Sequence, residues 1–180
     1  MNIRIVTGDA TAVTGIPVLV IPANKQLTLG WGSHLAERVL ELAGPEVERE
    51  ALAEHPEGVA MGHAILTGAG LMTNFTHLVH AAVLDKYDMN PLFLVRLKER
   101  TNEETLRKAT RSSLELVHRA GLDGLVFTPM GSGIGGMSDK KCARIMVEEI
   151  RRLSPPLTVV IACLKEKTSA IFRAVLEMGT

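Results

Sequence analysis

Leu125-Val126-Phe127-Thr128-Pro129-Met130-Gly131-Ser132-Gly133-Ile134-Gly135-Gly136 decides how the rest of the chain is read. Leu125-Val126-Phe127 is a short apolar run and reads as a strand; Ser138 and then Lys140 to Leu153 read as a helix. Between them lie four glycines in six residues. Each glycine loses extra backbone entropy on folding, so such a loop is costly as a plain corner. It is useful where backbone N–H groups must face outward and a ligand must come close. The helix N-terminus beside it adds partial positive charge, and the two together make a phosphate cradle. No Gly-Lys-Ser/Thr closes the loop, and it is not G-x-G-x-x-G in register. A flexible strand-to-helix connection is the plainer alternative.

Outward from this stretch, strands and helices alternate. Asn2 to Thr7 alternates like a strand and turns at Gly8-Asp9-Ala10-Thr11. Val18-Leu19-Val20-Ile21 is continuously apolar, as expected of a strand covered on both faces, and Pro22 is expected to end it. A glycine-bearing loop follows from Ala23 to Gly32. Ser33 can cap the next helix. Gly44-Pro45 stops that helix, and Pro45 opens another running to about Glu54. Ala64 to Thr67 and Leu78 to Val83 read as strands; Asp85 to Met89 has no assignment. Thr101 with Glu104 is a capping-box signature for a helix ending at Gly121. A last strand spans Leu157 to Leu164, and a final helix is expected to bury Ile171, Ala174, Val175 and Met178. This order predicts an α/β domain with a largely parallel sheet between helices, over residues 1–180 as one unit. The loops at Gly8, Asn24 and Gly131 all leave carboxyl ends of strands, where the ligand cleft of such a sheet lies.

Composition narrows the function. Hydrophobic residues are 46% and charged ones 22%, so the chain is globular with an aliphatic core, aromatics being only 3%. Twenty basic side chains balance twenty acidic ones, which argues against a general nucleic-acid binder. Cys142 and Cys163 lack metal-ligand spacing and make no disulfide framework, so a cytoplasmic location is expected. Arg4, Asp9 and Pro17 break any signal-peptide core, and no run approaches about 18 apolar residues, so no membrane association is expected.

Several residues are chemical candidates. Asp9 can accept from an exocyclic amine or a sugar hydroxyl, or simply cap a turn. Asn24 can face a ribose, or close an Asx-turn. Gly30-Trp31-Gly32 before Ser33 is a second glycine loop entering a helix, hence a second anion site, with Trp31 at a cleft edge or as a hydrophobic plug. Ser132 does not stand in G-x-S-x-G; its hydroxyl is better suited to donate to phosphate. His77 and His80 fall on opposite faces of a strand and cannot share a metal, so no metal site is expected and a core or edge role is read for His80. Lys140 and Lys141 form a solvated face or attract an anion.

As a set, these stretches resemble the macro domain, the ADP-ribose-binding module. Gly8-Asp9-Ala10-Thr11 is similar to its G-D-I-T turn, Ile21-Pro22-Ala23-Asn24 to N-A-A-N, and Ala43-Gly44-Pro45 to A-A-G-P. Leu78-Val79-His80 is similar to its V-I-H strand, and Thr128 to Gly136 to its F-P-A-I-S-T-G-V-Y-G loop. The resemblance implies a three-layer α/β/α sandwich with a mixed sheet of about six strands and no cofactor. It implies binding of ADP-ribose or a related nucleotide diphosphate, or of an ADP-ribosylated protein. Asp9 and Ala10 would hold the adenine; Gly30, Trp31, Gly32 and Ser33 with Ser132, Gly133, Ile134 and Gly135 would wrap the diphosphate; Asn24 would face the distal ribose. The hydrolytic branch carries an aspartate where this chain has Ser33-His34-Leu35. Hydrolysis of ADP-ribosyl esters or O-acetyl-ADP-ribose, through Asn24 and His34, is therefore the alternative, and a scaffold with a degenerate pocket a second one.

Overall fold

A computed structural model describes residues 2–31, 33–88, 92, 100–154 and 156–178. Among them are β1 (Asn2–Thr7), β2 (Val18–Asn24), α1 (His34–Ala43), α2 (Glu46–Glu54), β3 (Ala64–Gly68) and β4 (His77–Leu84). Then come α3 (Glu103–Arg119), β5 (Gly124–Phe127), α4 (Asp139–Leu153), β6 (Thr158–Cys163) and α5 (Glu166–Glu177). The six strands form one sheet in the order β1-β6-β5-β2-β4-β3. Only β3 runs antiparallel, against β4; the other neighbours are parallel. The expected mixed, largely parallel α/β sandwich is what forms.

The apolar runs explain the layers. Every residue of β2 is buried. Val18 and Val20 join Leu125, Phe127, Val159 and Ile161 against Leu106, Ile145 and Phe172 of α3, α4 and α5. Leu19 and Ile21 join Val126 and Val160 against Ala36, Val39 and Val47 of α1 and α2. A strand buried on both faces has no polar side to alternate with, which is why β2 reads as a continuous run.

One seam of the sheet is short. β2 and β5 are in register only at Val18↔Leu125 and Leu19↔Val126, then part. From β5 the chain crosses to β6; from β2 it leaves toward β3 and β4 on the other side. Adjacent strands whose connections diverge leave a crevice beyond their carboxyl ends.

Three local expectations are corrected. Pro22 does not end β2, which runs on beside β4 to Asn24. With β5 gone past Leu19, that edge of β2 has no ladder to lose, so a residue without N–H is tolerated there; the Pro22 carbonyl accepts from Ser33 Oγ at 3.2 Å. The capping box at Thr101 does not form. Asn102 caps α3, its Oδ1 accepting from Thr105 N at 2.8 Å, while buried Thr101 donates to the Val83 carbonyl at 2.8 Å. In α5 the buried residues are Thr168, Ser169 and Phe172; Ile171 and Val175 pack on the core as expected, while Ala174 and Met178 are exposed. Thr168 Oγ1 donates to Asp139 Oδ2 at 2.8 Å and Thr7 Oγ1 to Ser169 Oγ at 2.7 Å, so polar side chains hold the inner face there and hydrophobic spacing misses it.

Candidate functional site

Over the β2–β5 seam lies a cleft of about 1310 Å³, bounded by the ends of β1, β2, β4, β5 and β6 and by the starts of α1, α4 and α5. Five strands spaced at about 4.8 Å give it a floor roughly 19 Å across. At one end are Gly8, Asp9, Ala10, Leu164, Lys165 and Thr168; at the other Val83, Leu84, Lys86 and Arg100.

Of the two sequence readings of Asp9, the turn cap is the one that forms. Its Oδ1 accepts from Thr11 N at 2.8 Å and caps a single 3₁₀ turn, Ala10–Ala12. The same exposed side chain lines the cleft, with buried Ala10 beside it.

The loop after β5 forms the roof of the middle. Gly131 (φ +95°) and Gly136 (φ +78°) take backbone conformations that favour glycine. The loop closes on itself through Met137 N to Gly131 O at 3.0 Å and Gly136 N to Gly133 O at 3.1 Å. Arg100 N and Thr101 N both donate to Gly135 O, at 2.8 and 3.2 Å. Ser132 turns its hydroxyl back to Pro129 O at 3.2 Å. The successive N–H groups of Gly133, Ile134 and Gly135, which line the cleft, have no partner among the described residues. Consecutive amides of this kind make an anion-binding concavity.

The glycines differ in purpose. A Cβ on Gly135 would stand 2.5 Å from Gly131 O and 2.6 Å from Thr101 Oγ1, so the protein itself forbids a side chain there. A Cβ on Gly133 would meet nothing within 4 Å. The fold does not require a glycine at 133; a ligand coming close to the backbone would.

Across the cleft, Gly30, Trp31, Ser33 and His34 lead into α1. Ser33 Oγ accepts from Ala36 N at 3.1 Å, which starts the helix. Half-buried Trp31 lines the cleft and also packs on the core. Gly32 lies outside the described residues.

Asn24 is not among the residues that line the cleft. It is buried to 1% exposure. Its Nδ2 donates to Thr28 O at 2.7 Å and Trp31 O at 2.9 Å. Its Oδ1 accepts from Thr28 N and Thr28 Oγ1, each at 3.3 Å. The amide is fully occupied in shaping its own loop, an extended form of the Asx-turn alternative. The same loop holds Leu27 at φ +61°, a conformation rare for a branched side chain, secured by its complete burial with Ala51 and Ile65.

His34 reaches the cleft rim, but its side chain is fully exposed, with Nδ1 3.6 Å from Glu37 Oε2. His80 is a core histidine, its Nε2 2.9 Å from Thr67 Oγ1. Lys140 and Lys141 lie outside the cleft lining, on the outer groove of α4. The buried thiols are inert: burial pushes Cys163 up to about 11, and Cys142 further still.

Sequence reading missed the β4 end. Lys86, Arg100, Glu37 and Arg38 line the cleft, as does Asp139 at the other side. Their signal was positional, since Lys86 and Leu164 each follow the carboxyl end of a strand. The turn carrying Lys86 is clamped. Asp85 Oδ2 lies 2.7 Å from Lys25 Nζ, and Asp85 Oδ1 accepts from Gln26 Nε2 at 2.8 Å and Tyr87 N at 3.0 Å. Lys86 N donates to Gln26 Oε1 at 3.1 Å. Partial burial would raise the Asp85 carboxyl, but Lys25, Gln26 and the Tyr87 N–H outweigh it and hold it below the ordinary carboxylate range.

Comparison with known proteins gives a consistent picture. The family model described as Macro domain matches residues 20–146. An uncharacterized protein of Aquifex aeolicus is 36% identical over 86% of this chain and 84% of its own length. An O-acetyl-ADP-ribose deacetylase of Klebsiella pneumoniae is 27% identical over 96% of this chain and 95% of that one. A mutant macrodomain of Oceanobacillus iheyensis, solved with ADPR, superposes with a TM-score of 0.80 at 21% identity, over 97% of this chain and 91% of that one. The chain spans only 40% of the mycobacterial relatives that it also matches. Among the described residues no helix is long and apolar enough to cross a membrane.

Proposed function

The chain belongs to the Macro domain family, and on that premise we propose that its cleft binds ADP-ribose or a related nucleotide diphosphate, free or attached to a protein. The observation that carries this is the row of N–H groups at Gly133, Ile134 and Gly135, facing a cleft that the α1 N-terminus also borders. A diphosphate between them would meet donors that have no partner among the described residues and a positive helix end. Asp9, at one end of the roughly 19 Å floor, suits an exocyclic amine, and exposed Leu164 offers a shelf for a flat base. Of the similar proteins, one was solved with ADPR and one is named for O-acetyl-ADP-ribose, which supports the same ligand class. Two buried free thiols suit a reducing compartment, the cytoplasm.

Isothermal titration tests it. ADP-ribose should bind with micromolar affinity, about −8 kcal/mol, ADP more weakly and adenosine barely. No heat and no thermal shift at millimolar ADP-ribose would refute it.

Hydrolysis of an ADP-ribosyl ester or O-acetyl-ADP-ribose is a second reading. The His34–Glu37 pair at the rim and the name of the Klebsiella relative favour it. A base must take a proton from water within hydrogen-bond reach of the substrate. Asn24 is committed to its loop, Asp139 accepts from Thr168, and His34 faces solvent. Slow turnover is therefore expected, lost in His34→Ala.

A further inference from the structure

The cleft is electrically polar along its length. Toward β1 and β6 it presents two carboxylates, Asp9 and Asp139, with one cation, Lys165. Toward β2 and β4, among the described residues, it presents Arg38, Lys86 and Arg100 with the carboxylate Glu37, and Arg38 is itself paired with Glu41 at 3.1 Å. The whole chain has no net charge, so this excess is local. The diphosphate does not explain it, since that group is met in the middle of the cleft by the amides of Gly133 to Gly135.

We infer that the β4 end of the cleft docks an acidic carrier: a protein segment bearing ADP-ribose on one side chain, with Asp or Glu on either side of it. This rests on the ADP-ribose reading above. With the base toward Asp9, the distal ribose points to β4, and whatever the ribose is attached to leaves the cleft there. Arg38 comes from the second turn of α1 and Lys86 from the turn after β4, and both line the cleft beside that exit. Lys86 is held in place rather than loosely solvated, because Asp85, Gln26 and Lys25 tie its turn to the loop after β2. Its ammonium lies 5.8 Å from the centroid of the exposed Tyr87 ring, giving the rim an apolar face next to its charge. Cations at a rim choose partners by charge and speed their encounter.

The test uses three peptides, each ADP-ribosylated on a central serine, flanked by glutamates, serines or lysines. Their binding to the full chain is read by fluorescence anisotropy, beside titration of free ADP-ribose. The glutamate-flanked peptide should bind roughly tenfold tighter than the lysine-flanked one, and the gap should shrink at high salt. In Arg38→Glu/Lys86→Glu the order should reverse. Should that double variant fail to melt cooperatively, Lys86→Ser alone, on a surface turn, should cut the preference roughly threefold. Equal affinities for the three peptides, with free ADP-ribose still bound, would overturn the acidic carrier and leave the ADP-ribose reading standing. Absence of binding by ADP-ribose and all three peptides would overturn both.

Discussion

Lowering the pH should destabilise this protein through one side chain in its core. His80 on β4 is completely buried, beside Ile65 of β3 and Ile21 of β2. Its Nε2 pairs with Thr67 Oγ1, and its Nδ1 has no partner among the described residues. Burial in these surroundings pushes its pKa down from 6.5 to about 4. In the unfolded chain it returns to about 6.5. Between those values the unfolded state holds more protons, so stability falls as pH drops from about 6.5 and the loss is complete below about 4. A gap of about 2.5 units at 1.36 kcal/mol each makes the full loss about 3 kcal/mol, of which about 2 should be gone by pH 5. That is a large share of the 5–15 kcal/mol typical of a domain. Urea denaturation at pH 7.5 and pH 5 measures it, with His80→Gln as the control that keeps an amide near Thr67 but cannot titrate. Carboxylates contribute equally to both proteins, so the difference between the two pH dependences isolates His80. Parallel losses in wild type and His80→Gln would show that the imidazole is not held neutral by burial.

The glycine loop gives a second expectation. Gly133→Ala should leave stability unchanged or raise it by roughly 0.4–1 kcal/mol, yet weaken ADP-ribose about tenfold, whereas Gly135→Ala, forced against Gly131 O, should cost about 1–3 kcal/mol in thermal melts. Unaltered affinity in Gly133→Ala would remove the ligand from that loop. Asp9→Ala should lose about 1 kcal/mol of stability with its cap and weaken ADP-ribose more than ribose-5-phosphate; equal losses for the two ligands would mean that Asp9 does not touch the base. Asn24→Ala should lower the melting temperature first and affinity only through the loosened loop, at about 1–3 kcal/mol for the buried donors and acceptors left unpaired. Lost affinity at an unchanged melting temperature would put its side chain in the cleft after all.

The continuous apolar runs of β2, β5 and β6 made the sheet legible, because a strand covered on both faces leaves no other pattern. That Asp9, Gly30 and the Gly131 loop line one cleft was legible for a related reason: each lies in a connection that leaves a strand end, and strand ends converge. What escaped depends on which strands are neighbours. Lys86 belongs to the cleft because β4 lies beside β2, and Thr101 docks on Val83 instead of capping because α3 starts over β4. No periodicity carries that. Asn24 shows a further limit: an amide after a strand suits a ribose or a loop equally well, and only its four hydrogen bonds decide. Gly133 and Gly135 are the same letter in sequence, and are told apart only by what stands near a missing Cβ.

The short β2–β5 seam makes the sheet two three-stranded panels, β1-β6-β5 and β2-β4-β3, hinged on two residue pairs. Helices α3 and α4 pack over the joint on one face, and α1 and α2 on the other. On the proposed reading, a ligand stretched from Asp9 toward Lys86 would cross both panels and brace the joint. Its binding energy is then felt as resistance to parting: amide exchange along Leu19 and Val126 should slow on binding more than exchange at the outer strands β1 and β3. The proposed ligand crevice is also the line along which the sheet is paired least, and filling it would mend that line.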